Sequence, residues 1–165
     1  MSSSTTAHPH HHRADEGEAL WFLGSLATIK AGGAHTRGRL TVVEFVNPAG
    51  FAPPLHRHLE EDEAFYVLSG TAQFHCDEQV FDAGPGDFVL LPVGRPHTFL
   101  VGADEELRAL QITTPAGFED FAAEVGEPAS RRELPEPGPV DAGLLGHAAA
   151  RHHLEILGPP PTTTS

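Results

Sequence analysis

Glycine and proline cut this chain into short pieces. With 17 Gly and 15 Pro among 165 residues, most uninterrupted stretches have the length of a β-strand rather than of a long helix. Leu40–Val46 is rich in β-branched residues and stops at Asn47-Pro48, so it reads as a strand. One or two strands fall within 20–29, before the breaker Ala31-Gly32-Gly33. Further runs follow at 64–68, 71–76, 79–81, 88–91, 98–101 and 107–113. Turn signals at Ser69-Gly70, Asp77-Glu78, 83–86, Val93-Gly94 and 102–104 separate them. Closely spaced short strands predict an all-β sandwich or barrel.

The pattern changes after Pro115. Phe118, Phe121, Ala122 and Val125 recur at helical spacing and predict a short helix ending at Gly126. Asp141 is placed to cap a second helix over 142–152. The expected organisation is a disordered His-rich tail at 1–17, carrying His8, His10, His11 and His12, and a β-barrel domain at 18–114. A helical extension at 115–157 packs on the barrel, and 158–165 is a second disordered tail.

Charge and cysteine content narrow the function. Asp and Glu outnumber Lys and Arg by 23 to 10, a formal charge of −13 that repels nucleic acid and anionic membranes. Cys76 stands alone, which excludes an intrachain disulfide and a cysteine-rich zinc module. No apolar run reaches the ~18–20 residues of a membrane span, and the N-terminal stretch has no secretory apolar segment. A cytoplasmic protein without nucleic-acid or membrane partners is the expectation.

The chemistry concentrates between Gly50 and Val101. His56 and His58 lie two apart, so on a strand both imidazoles face one side. Glu63 follows at the wrong parity for one unbroken strand. The acidic stretch 59–62 must therefore turn, letting Glu63 rejoin the inward face with Phe65 and Val67. Glu60, Glu61 and Asp62 read as a solvated turn, with Glu61 or Asp62 next in line should Glu63 not be the ligand. His97 opens another strand whose inward neighbours are Phe99 and Val101. Three imidazoles and a carboxylate without thiolate suit one divalent transition metal: Fe, Mn, Co, Ni, Cu or Zn. Phe65, Val67, Phe99 and Val101 would line the pocket, with Phe45 and Phe51 at its mouth.

These residues also carry a family resemblance. Gly50-x5-His56-x-His58-x4-Glu63-x6-Gly70 resembles the first cupin motif, and Gly86-x5-Pro92-x-Gly94-x2-His97 the second. The departure is Val101, where the family pattern has Asn. The segments 18–24, 54–58, 61–66, 115–118 and 155–161 extend the likeness to small bacterial quercetin-2,3-dioxygenase-like cupins. The resemblance implies a jelly-roll (double-stranded β-helix) barrel holding a metal on His56, His58, Glu63 and His97. It also implies a homodimer, and the run Phe65-Tyr-Val-Leu68 fits a strand buried on both faces.

The leading expectation is a metal-dependent dioxygenase of quercetinase type. It would act with O2 on an enolic or phenolic aromatic small molecule, and Glu63 would take the substrate proton. One alternative is a metal-dependent cyclase or isomerase of aromatic-polyketide type, working without O2. The other is a non-catalytic small-molecule-binding cupin. Because one barrel hosts many chemistries, the fold does not choose among the three.

Overall fold

In a computed structural model, which describes residues 8–162, two antiparallel sheets build the molecule. The first contains β1 (Glu18–Phe22), β2 (Ser25–Ala31), β3 (Thr41–Asn47), β5 (Asp62–Ser69), β8 (Phe88–Leu91), β10 (Leu107–Thr114) and β11 (Glu127–Pro128). The second contains β4 (Leu55–His58), β6 (Ala72–Cys76), β7 (Gln79–Ala83), β9 (His97–Val101) and β12 (Leu154–Gly158). Their spatial orders are β11-β1-β2-β3-β10-β5-β8 and β12-β4-β9-β6-β7. Three helices complete the chain: α1 (Gly33–Thr36), α2 (Phe118–Val125) and α3 (Ala142–Arg151).

Strict alternation explains why the larger sheet has a buried floor. Thr41, Val43, Phe45 and Asn47 on β3 point inward, as do Leu107, Ala109, Gln111 and Thr113 on β10. Glu63, Phe65 and Val67 continue that floor on β5, while Tyr66 and Leu68 face out. The register sets Glu63 opposite Thr113 and Phe65 opposite Gln111. Two apolar clusters fill the interior. One joins Phe22, Phe45, Phe118, Phe121 and Leu145; the other joins Phe65, Val67, Phe74, Phe99 and Val101.

The second helix runs over Phe118–Val125 as its periodicity predicts, and Asp141 caps the third by accepting from the amides of Gly143 and Leu144. The C-terminal segment departs from a purely helical extension. β12 pairs with β4, placing Leu154 beside His58 and Ile156 beside His56, and β11 pairs with β1. An edge strand needs only one neighbour's hydrogen bonds, so a five-residue run after a helix leaves little trace in sequence. The small helix α1 was not expected; it occupies the region read only as a Gly breaker.

The N-terminal segment also departs from a disordered tail. Its residues 1–7, like 163–165 of the C-terminal one, lie outside the described residues. Arg13, Ala14 and Glu16 each offer a backbone carbonyl to the Lys30 ammonium, and His10 bonds the Lys30 carbonyl. One cation with three acceptors ties the segment to β2, an order that composition alone does not signal.

Candidate metal centre

Three strands bring the expected ligands together. β4 carries His56 and His58 on one face, β5 carries Glu63 as its second residue after a bend at 59–61, and β9 opens with His97 opposite His56. The turn before β9 is held by Gly94, whose φ of +78° suits a residue without Cβ. Its amide donates to the His58 carbonyl at 2.7 Å, so the turn that aims His97 is fastened to the strand that carries His58. One nitrogen or oxygen from each of His56, His58, Glu63 and His97 lies within 4.8 Å of all the others.

The orientation of the rings decides what the cluster fits. Each Nδ1 is already engaged: His56 to the Pro54 carbonyl at 2.7 Å, His97 to the Arg95 carbonyl at 3.0 Å, and His58 to Glu61 Oε2 at 2.9 Å. All three acceptors are oxygens, so in each neutral ring Nδ1 carries the hydrogen and Nε2 holds the lone pair a metal would take. The Nε2 atoms of His58 and His97 and Oε2 of Glu63 are buried without a properly aligned hydrogen bond; they face one another. Buried acceptors left without partners are costly, and a divalent cation satisfies three at once. The donor set therefore fits a transition metal.

The electrostatics of the four groups are coupled. Burial pushes the His56 imidazole down, and His97 adds to this, to about 4. Burial acts the same way on His58, but the Glu63 and Glu61 carboxylates outweigh it and raise this group to about 10. Burial would raise Glu63; the His58 and His97 imidazoles instead hold it well below the usual carboxylate range.

Glu61 corrects the reading of 60–62 as a solvated turn. It is 8% exposed and supports His58, whereas Glu60 stays in solvent. Asp62 is exposed yet tied down, accepting from the Val93 amide at 2.9 Å. The start of α2 closes over Glu61: a Cβ on Gly117, whose φ is +147°, would lie 3.2 Å from Oε1. Phe118 then lies beside the His58 ring, tilted by 34° with centroids 6.3 Å apart.

A narrow, apolar-lined cavity leads away from His56 and Glu63. Of the pocket residues read from the sequence, Phe45, Phe51, Phe65 and Phe99 line it. Val67 and Val101 do not. They sit two residues further along β5 and β9, inside the apolar cluster around Phe74, where the barrel is filled. Sequence reading missed Phe22 of β1, Phe118, Phe121 and Leu145 from the helices, and the polar pair Asn47 and Gln111. Alternation along β3 and β10 was the available signal for that pair, since both share the buried parity of their strands.

Residues 42–113 match the Cupin domain family. The chain is 29% identical over 113 residues to quercetin 2,3-dioxygenase of Bacillus subtilis, covering 68% of this chain and 33% of that protein. It spans between a third and a half of the length of the curated relatives it matches. Among solved structures, KdgF from Halomonas sp. superposes with a TM-score of 0.57 at 17% identity, over 66% of this chain and 94% of that one. The polyketide cyclase RemF from Streptomyces resistomycificus does so with a TM-score of 0.53 at 23% identity, over 65% and 79%. The matched strands hold His56, His58, Glu63 and His97, and the same barrel recurs in both structures; residues 42–113 form a cupin domain.

Proposed function

We propose that the protein is a metal-dependent enzyme acting on a planar enolic or phenolic aromatic molecule, as a dioxygenase of quercetinase type. The supporting observation is the lining of the cavity beside the ligand cluster. It is built from seven phenylalanines of the barrel and helices together with Leu23, Leu145 and Leu154, and contains no Lys or Arg. Beyond the metal itself, an anionic substrate such as a dicarboxylate or a phosphate ester would find no cationic side chain there, whereas an aromatic body would be desolvated by the lining.

His56, His58, Glu63 and His97 would hold the metal, which when bound would supply Lewis acidity toward a ligand oxygen and, if redox-active, an electron route to O2. Glu63 is the carboxylate at the head of the cavity, and Oε2 is its unpartnered atom. With Oε2 turned to the ligand nitrogens, Glu63 would accept the enol or phenol proton at its other oxygen, Oε1. Phe118 and Phe121 on α2, with Leu145 on α3, exclude water from the same space.

The test is aerobic and anaerobic incubation of metal-reconstituted protein with a flavonol, read by an oxygen electrode and by product mass. The expected result is O2 uptake matched to flavonol consumed, both oxygen atoms in the product, and loss in Glu63→Gln. Product formed at equal rate without oxygen would replace this reading with the cyclase or isomerase class. Tight binding without turnover would leave a binding protein.

We also propose that two copies associate through the outer face of β5 and β8. Tyr66 and Phe88 sit directly opposite each other there, beside Leu68 and Leu90, and all four are exposed. Among the described residues no helix is long and apolar enough to cross a membrane.

A further inference from the structure

The cavity floor holds two polar side chains that the fold leaves incomplete. Gln111 is 5% exposed and its Oε1 has no hydrogen-bond partner; Asn47 is 2% exposed and its Nδ2 has none. Asn47 Oδ1 accepts from Ser25 Oγ at 2.8 Å, so whichever way its amide is turned, one end stays unmatched. Both residues line the cavity that ends at His56 and Glu63. Neither contributes to the ligand cluster.

Their places on the sheet give an order. Thr113 lies opposite Glu63, and Gln111 is the next inward residue on β10, on the order of 7 Å along the strand. Asn47 lies opposite Leu107, two inward positions beyond Gln111 in the same direction. Apolar rings occupy the space around them: Phe65 is the cross-strand neighbour of Gln111, and Phe45 precedes Asn47 by one pleat on β3. A buried amide in an aromatic lining is retained at a cost unless something in the cavity answers it.

We propose that Gln111 is a specificity-determining residue that hydrogen-bonds a neutral hydroxyl or carbonyl on the body of the ligand. That oxygen would lie about two fused rings from the one facing Glu63, and Asn47 marks the outward continuation of the same polar track. This inference rests on the functional reading above for the aromatic class of ligand. It adds that the ligand is polyoxygenated along its length. A site built to hydrogen-bond a ligand oxygen rejects the analogue that lacks it more strongly than an apolar pocket rejects an added one.

Two flavonols sharing one enolic head separate the outcomes: quercetin, with hydroxyls on both outer rings, and 3-hydroxyflavone, with none. Their affinities for zinc-loaded wild type, Gln111→Met and Gln111→Leu are measured by calorimetry, and the ligand-free proteins are melted in parallel. Wild type is expected to favour quercetin by on the order of 10-fold, and both variants to lose that preference by weakening quercetin alone. The ligand-free variants are expected to melt at or above the wild-type temperature, because methionine or leucine removes an unsatisfied group. A preference unchanged in the variants means that the amide holds only solvent, and overturns the proposal. If neither flavonol binds wild type, the functional reading fails and melting decides: a variant destabilised by more than ~4 °C shows a structural amide and overturns the assignment, whereas an equal or higher melting temperature upholds it.

Discussion

Glu61 is the residue whose contribution to the centre is most separable. It touches no cavity atom, yet its carboxylate fixes which nitrogen of His58 carries the hydrogen, leaving Nε2 directed at Glu63 and His97. Removing such a support costs a metal site on the order of 10- to 100-fold in affinity. Glu61→Ala should therefore release metal to a competing chelator at correspondingly lower concentration. Glu61→Gln keeps an oxygen acceptor for Nδ1 and should recover most of the loss; equal losses in both variants would mean that charge, not orientation, is what Glu61 supplies. A second expectation concerns protons. With His58 raised to about 10, Glu63 held low and His56 lowered to about 4, the metal-free cluster near pH 7 carries a proton on His58 and none on the other two. Loading must displace it, so metal affinity should rise with pH and about one proton should leave per site, measurable by calorimetry in buffers of different ionisation enthalpy. The four ligand candidates were legible because strand parity and spacing leave few alternatives. Glu61 was not: three acidic residues in a row read as solvent-facing, and only the closure of α2 over the second of them buries it.

At the scale of elements, α2 is the lid over the centre, and Glu119 is what seats it. Its carboxylate accepts from the Gly33 amide at 2.6 Å, from the Gly117 amide at 3.0 Å and from the Thr41 hydroxyl. One side chain thus joins α2 to α1 and to β3. Burial would raise its pKa, but the Thr41 hydroxyl and the backbone amides outweigh that and lower it. A carboxyl depressed in the folded state contributes stability that is complete above its ordinary value of 4.5 and is lost as pH falls through the folded value. Glu119→Gln should cost about 1–2 kcal/mol at pH 7, discounted for its partial exposure, and melt several degrees lower. The gap to wild type should narrow on acidification below about 4.5; a gap constant from pH 7 to 3 would assign the effect to shape rather than charge. The helices themselves were readable, since Phe118, Phe121 and Val125 recur at helical spacing and Asp141 offers a side-chain cap. The strands β11 and β12 were not, because their order comes from pairing with β1 and β4, contacts distant in sequence. The Lys30 anchor of the N-terminal segment is likewise non-local.

For the whole molecule, two features of opposite tendency meet at the outer face of β5 and β8. Phe88 and Leu90 are 62% and 53% exposed on adjoining positions of an edge strand, and Tyr66 and Leu68 extend the patch on β5. Contiguous apolar surface of this kind is uncommon on a monomer and favours burial against a second copy. The chain also carries a formal charge of −13, which repels that copy at long range. Salt screens the repulsion over a Debye length of roughly 10 Å at 0.1 M while leaving apolar contact intact, so association should strengthen with ionic strength. Light scattering at micromolar concentration is expected to give about 35 kDa, twice the chain mass of 17.6 kDa, with the dimer fraction rising between low and moderate salt. Phe88→Glu should return the protein to monomer while leaving the metal affinity unchanged, because Phe88 faces away from Glu63 across the sheet. A monomer in wild type at every salt concentration would remove the assembly from this account; a dimer that weakens with salt would assign it to ion pairs elsewhere on the surface rather than to the β5–β8 face.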